Sequence, residues 1–253
     1  MAIKLNQRNA KMIQIGFKTD VGKTRSVNED AFFVMPKQNI YIIADGVGGQ
    51  NAGELASRTT VKNIADYIQG NSILKHLKEE ELKNYFYNCI KSVNTNIYNL
   101  AKENELQKGM ATTVVILYVH GNKAYVTNVG DSRAYLIRMH QIHQITEDHT
   151  VVNQLVKGGK ISKKDAESHP MSNVITKAIG AEIDISPDYY LIDLYKDDII
   201  LLCSDGLYSE VTDEEIIKTC LSGERMHQVC NNLIDIANEH NGNDNITVIC
   251  VKI

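Results

Sequence analysis

Two long helical patterns follow one another with no strand between them, and this limits the fold more than any other feature of the chain. Ala52, Leu55, Ala56, Val61, Ile64, Ala65 and Ile68 recur close to a 3.6-residue period, which predicts a helix over 52–68. Leu82, Phe86, Ile90, Val93, Ile97 and Leu100 predict a second helix over 79–103. Another pair is expected over 213–221 and 224–239. Short apolar or alternating runs lie around these pairs. They predict strands at 12–19, Ala31–Met35, Ile40–Ala44, Ala111–Val119, Lys123–Asn128, Arg133–Arg138, Tyr189–Leu194, Ile199–Cys203 and Ile246–Ile253. His120-Gly121-Asn122 is a hairpin turn. A doubly wound parallel sheet needs strands and helices to alternate one for one, and helices that arrive in pairs argue against it. The expected class is α+β, with antiparallel sheets packed together and helix pairs outside.

A chain of 253 residues without linker, repeat or low-complexity tract fits one domain over 1–253. The first ten residues read as a loose leader. Residues 151–171 differ in character, with short helical pieces at 151–157 and 162–167, a Gly158-Gly159 break and Pro170. They read as a surface insertion. The net charge of −4 gives no reason to expect nucleic acid as a partner. Five cysteines, Cys89, Cys203, Cys220, Cys230 and Cys250, form no C-x-x-C pair and read as free thiols. No signal pattern opens the chain, and no apolar run approaches the roughly 20 residues that cross a bilayer. A cytoplasmic protein without membrane insertion is expected.

Acidic residues recur where strands end. Asp45 follows Ile40–Ala44 and Asp205 follows Ile199–Ser204, and each is followed by glycine. Asp131 lies in Asn128-Val129-Gly130-Asp131-Ser132-Arg133, Asp244 precedes the last strand, and Glu29-Asp30 precede Ala31. Taken singly, each is equally well a turn residue bonded to local backbone. Gathered at one edge of a core, they would repel one another unless a cation neutralised them. Such hard oxygen ligands suit Mg²⁺ or Mn²⁺, with Gly46 allowing the main chain to approach and offer its carbonyl. No His/Cys cluster has zinc spacing.

Arg25-x-x-Asn28-Glu29-Asp30, Ala44-Asp45-Gly46-Val47-Gly48-Gly49, Gly109-Met110-Ala111-Thr112-Thr113, Gly130-Asp131-Ser132-Arg133, Ser204-Asp205-Gly206-Leu207 and Asp244-Asn245 occur in this order. Together they resemble the metal-dependent serine/threonine protein phosphatases of type 2C (the PPM family) in their short bacterial form, from about residue 14 to 253. The resemblance implies a four-layer αββα sandwich and hydrolysis of phosphoserine and phosphothreonine in proteins. It implies two Mn²⁺ or Mg²⁺ ions, with a third possible, and water attacking directly. Asp45 would bridge the two ions, Gly46 would offer its carbonyl, and Asp205 and Asp244 would hold the second ion. Asp131 would belong to a third, looser site shared with Asp205. Glu29 and Asp30 would orient water on the ions, and Arg25 would clamp the substrate phosphate. The insertion at about 151–171 corresponds to a flap beside the site and is expected to act on protein-substrate choice. A bacterial serine/threonine kinase is the implied counterpart, and a monomer is the expectation.

Some residues stay outside this assignment. Arg133 reads as a structural partner for a nearby acid. Thr112 and Thr113 read as β-branched residues that start a strand, not as nucleophiles. Val47 stands where some relatives carry a histidine, so the donor of a proton to the leaving oxygen is unassigned, with water on the metal as first choice. His149 and His169 flank the insertion, and a structural or surface role is the better reading of each. A regulatory module that keeps the fold without hydrolysis is a second reading, and a metal-stabilised scaffold of another class a third. The presence of Asp45, Asp205 and Asp244 together ranks both behind the phosphatase.

Overall fold

The computed structural model describes residues 13–48, 52–73, 77–103, 107–167 and 169–253. The leader expected over the first ten residues, Met12 of the first expected strand, Gly49 and His76 lie outside them. In chain order the elements are β1 (Gln14–Asp20), β2 (Asp30–Met35), β3 (Ile40–Val47), α1 (Ala52–Gly70), α2 (Glu79–Glu103), β4 (Ala111–Thr112), β5 (Val114–His120), β6 (Lys123–Val129) and β7 (Arg133–Arg138). There follow β8 (Gln141–Gln144), α3 (Val151–Lys157), α4 (Lys163–Glu167), β9 (Asp188–Asp193), β10 (Ile199–Cys203), α5 (Asp205–Tyr208), α6 (Asp213–Cys220), α7 (Met226–His240) and β11 (Ile246–Lys252).

One sheet has the order β1-β11-β10-β7-β8 and the other β2-β3-β5-β6-β9, with β4 beside β3. The pairings are antiparallel. The strands that read as unbroken apolar runs are those buried on both faces. In β3, Ile40, Ile42 and Ala44 pack outward under α1 and α2, against Ile64, Phe86, Ile90 and Ile97. The alternate residues Tyr41 and Ile43 point inward and meet Leu136, Ile200, Leu202 and Ile249 of the other sheet. In β10 and β11, Leu201, Cys203, Val248 and Cys250 point outward to Ile216 of α6 and to Val229 and Leu233 of α7. The period of two thus divides each strand between two cores, and the layers run helix, sheet, sheet, helix. Ile43, Leu117, Leu202 and Ile249 in the middle layer have no exposed surface, and each contributes about 1.5–3 kcal/mol of burial. All five cysteines are buried free thiols.

Most expected boundaries shift by a residue or two, and the larger departures fall near the strand ends. β3 does not turn at Asp45 but runs on to Val47, because Gly46 and Val47 find a partner in β4. The single strand expected over Ala111–Val119 is broken at Thr113 into β4 and β5. Asp205 opens the short helix α5 instead of a glycine turn. β8 was not expected, since Gln141–Gln144 is mostly polar and forms the edge of its sheet, paired only with β7. α6 starts where a Thr212/Glu215 capping box satisfies its first amides.

Candidate active site

The strand registers bring the acids together. Pairing of β2 with β3 sets Asp30 opposite Asp45, and pairing of β3 with β4 sets Gly46 opposite Thr112. β10 ends, and β11 begins, at the same end of the sandwich. A cavity of 280 Å³ opens there, lined by Arg25, Glu29, Asp45, Asp131, Asp205 and Asp244. Gly46, Thr113, Asn173, Ile175 and Asn245 complete much of its wall. The sequence therefore names the acids of the cavity, and the fold gathers the five of them from five separate strand ends.

Both Asp-Gly glycines answer to close approach. A Cβ on Gly46 would stand 2.1 Å from the carbonyl oxygen of Gly53 in α1, and one on Gly206 would stand 2.1 Å from the carbonyl oxygen of Asn245. Any side chain would push α1 or the Asp244-Asn245 turn off the cavity wall. The main chain of Asp45 is held as firmly. Its carbonyl accepts from Thr113 N at 2.8 Å and from Thr112 Oγ1 at 2.7 Å, and its N–H donates to Thr113 Oγ1 at 3.0 Å.

The cavity is electrostatically crowded. Burial, and after it the charges of Asp30, Asp205, Asp131 and Asp244, push the Asp45 carboxyl well above the usual carboxylate range. Burial and Asp244 raise Asp205. Burial and Asp205 push Asp131 up to about 7. Burial also raises Glu29, against the pull of Arg25. Asp30 does not line the cavity but lies buried behind it. Its Oδ2 accepts from Ser204 Oγ at 2.7 Å, while its Oδ1 has no protein partner. Burial pushes this carboxyl up to about 7 as well. Among the described residues Arg25 is the only cationic side chain lining the cavity, and it pairs with Asp244 at 2.8 Å. The expected phosphate clamp thus rests on an acid in this structure, half exposed and within reach of the cavity.

The donor set fits a hard divalent cation. It consists of carboxylates and the backbone of Gly46, with an unpartnered buried oxygen on Asp30 behind. Among the described residues no group of three or more His, Cys, Asp or Glu side chains is arranged to hold an ion by itself. Carboxylates spaced round an open cavity suit ions that keep part of their water, as Mg²⁺ does, better than a closed cage would.

Comparison with known proteins decides the family. The family model described as protein phosphatase 2C matches residues 22–245. The chain belongs to the protein phosphatase 2C family. It is a serine/threonine protein phosphatase, hydrolysing phosphate monoesters on proteins. The serine/threonine phosphatase stp of Listeria monocytogenes serovar 1/2a is 36% identical over 239 residues, covering 93% of this chain and 94% of its own. The structure of the Streptococcus agalactiae serine/threonine phosphatase superposes with a TM-score of 0.88 at 32% identity, over 95% of this chain and 99% of that one. The catalytic domain of the phosphatase PstP, solved in complex with two manganese ions, gives a TM-score of 0.82 at 28% identity, over 95% and 97% of the two chains.

Other residues of this phosphatase support the site from outside the set of expected ligands. Asn245 accepts from Glu29 N at 2.8 Å and donates to the carbonyls of Val21 and Val27 at 2.9 and 3.0 Å, fastening the loop that carries Arg25 and Glu29. His149 is buried. Its N–H donates to Gly130 O and its Nδ1 accepts from Gly130 N, both at 3.0 Å, so it pins the turn before Asp131 from both sides. Arg133 pairs with Asp148 at 2.7 Å and lies 3.5 Å over the Tyr208 ring, the structural part expected of it. His169 does not line the cavity; its Nδ1 accepts from Met171 N. Asn173 and Ile175, just past the insertion expected at 151–171, are the residues of that region that reach the acids.

Proposed function

We propose that this phosphatase works through two divalent ions, Mn²⁺ or Mg²⁺, held by Asp45, the Gly46 carbonyl, Asp205 and Asp244, with Asp131 serving a third position. The convergence of Asp45, Asp131, Asp205 and Asp244 on one 280 Å³ cavity carries this reading. Bound there, the ions would supply a water of lowered pKa and neutralise charge on the phosphoryl oxygens. The chain's own residues then divide the remaining work. The Thr112 and Thr113 hydrogen bonds hold the Asp45 main chain fixed. Glu29 on the cavity wall and Asp30 behind it serve as acceptors that orient water, and the free Oδ1 of Asp30 supports that part. Arg25 leaves Asp244 to take the phosphate of the substrate in a two-pronged hydrogen bond.

No side chain at Val47 can hand a proton to the departing serine or threonine oxygen, so water in the cavity fills that role. The enzyme is read as a cytoplasmic monomer that reverses the action of a serine/threonine kinase. Among the described residues no helix is long and apolar enough to cross a membrane. The test is hydrolysis of an aryl phosphate with added Mn²⁺, with chelator, and in Asp45→Asn. Turnover should vanish with chelator and drop by about 10³-fold or more in the variant, while the circular dichroism spectrum stays the same. Undiminished activity in Asp45→Asn would remove this residue from its assigned place.

A further inference from the structure

Beside the acidic cavity lies a second and larger hollow of 440 Å³, within the range of pockets that enclose small ligands. The two are adjacent, since Val47 and Ile175 line both. Its floor and one side are apolar, formed by Val47, Ala111, Ile175, Ala178 and Ile185. Its rim carries Glu182 and Asp184, both exposed and neither in an ion pair among the described residues. Lys177 also faces the hollow, but its ammonium lies 3.4 Å from the Ser186 carbonyl and 3.5 Å from Asp188. That cation is matched within the protein, and the two rim acids are not. Several contacts fix the wall. Thr112 N donates to Ile179 O, Ile179 N donates back to Thr112 O, and Asn94 holds the 180–183 stretch by accepting from Gly180 N and donating to the carbonyls of Glu182 and Ile183. The hollow is thus anchored to the same β4 segment that pairs with Gly46.

An apolar floor that leads to an uncompensated acidic rim matches a long basic side chain, whose methylenes bury while its charged head stays at the edge. We infer that this groove receives a lysine or arginine flanking the phosphorylated residue of the protein substrate, and so sets sequence preference. The inference rests on the neighbouring acidic cavity being where the phosphate is cleaved. Phosphate in that cavity places the flanking residues of the peptide over the shared Val47–Ile175 border.

The test uses the whole enzyme with Mn²⁺ and phosphothreonine peptides carrying Arg, Ala or Glu at each flanking position in turn. One position should favour Arg over Ala by about fivefold or more in kcat/KM, through KM. The preference should shrink as salt rises. In Glu182→Gln/Asp184→Asn it should disappear, and in Glu182→Lys/Asp184→Lys it should turn towards Glu. Turnover of a small aryl phosphate, which cannot reach the groove, should stay unchanged in both variants. Fluorescence anisotropy of the same labelled phosphopeptides reads the groove without turnover, so a fault in the metal chemistry and a fault in the groove separate. Equal binding of Arg and Ala peptides at every position would overturn the inference. So would a wild-type preference for Glu, which would assign the groove to Lys177, or a preference that survives neutralisation of both rim acids.

Discussion

Thr113 ties the break between β4 and β5 to the main chain of Asp45, and its replacement by valine isolates that link. Valine keeps the β-branched shape but lacks the hydroxyl. Thr113 is buried, and its Oγ1 accepts from Asp45 N at 3.0 Å and lies 2.6 Å from Ser132 Oγ. The substitution therefore removes the side-chain acceptor of the Asp45 N–H and leaves a buried Ser132 hydroxyl without its partner. Each group stranded in this way costs about 1–3 kcal/mol. Partial relaxation brings the expected total to about 2–4 kcal/mol. For a chain of this size each kcal/mol lowers Tm by about 2–4 °C, so Thr113→Val should melt some 5–15 °C lower.

Thr113→Ser is the control. It keeps the hydroxyl but loses the methyl that packs where a Cβ on Gly130 would stand, at 2.6 Å, and should cost only about 1 kcal/mol. The double variant Thr113→Val/Ser132→Ala removes both partners of the buried pair, so part of the loss should return as a coupling of about 0.5–1.5 kcal/mol. Denaturant unfolding of the parent, these three variants and Ser132→Ala, which closes the cycle, measures these differences. If Thr113→Val proves as stable as Thr113→Ser, or the double variant shows no coupling, the hydroxyl network does not hold the Asp45 strand.

Two further outcomes follow from contacts outside the acidic cavity. His149 accepts from Gly130 N at Nδ1, so its ring is neutral and its Nε2–H meets Asp188 at 3.2 Å; burial first, and Lys177 after the opposing Asp188 bond, hold its pKa below the ordinary imidazole value. The unfolded chain takes up a proton near the usual value of about 6.5 while the folded one resists. Stability should therefore fall as pH drops through and below that value, and His149→Gln should flatten the decline seen in denaturant midpoints between pH 7 and 5. Glu147, also near this ring, is itself held low by Lys157 and titrates below that window, as does Asp188, which the His149 bond and Lys177 carry down against its burial. Replacing residues 151–171 with a short Gly-Ser linker is feasible because Thr150 bridges to Ile175 beside the insertion. Activity on a phosphoprotein should fall about tenfold while aryl phosphate turnover changes little; equal losses would show that the insertion acts on bond cleavage instead.

The fold was legible in the sequence to the extent that burial wrote itself into period and run length. Ile40–Ala44 and Ile199–Cys203 are apolar throughout because helices cover one face and the facing sheet the other. Such runs, with helices in pairs, leave few architectures open. The cavity acids were legible for a related reason. A carboxylate directly after a buried run stands out, and Asp45 and Asp205 are of this kind. What the sequence hid is held by main-chain geometry. Nothing in the letters of Asn245 or His149 tells that each fastens a loop through backbone groups far away in sequence. The stretch 176–186 hid its groove most completely. Its apolar residues follow neither period, because the segment is irregular and is held by Asn94 and by a single bridge between Thr112 and Ile179. Only when β4 pairs with the end of β3 do Ala111 and Val47 become the other wall of that groove. The same pairing that extends β3 past Asp45 therefore builds both hollows, one lined by acids and one by apolar side chains with an acidic rim. A change that weakens β4 should consequently disturb cleavage and sequence preference together, whereas a change at Glu182 or Asp184 should disturb preference alone.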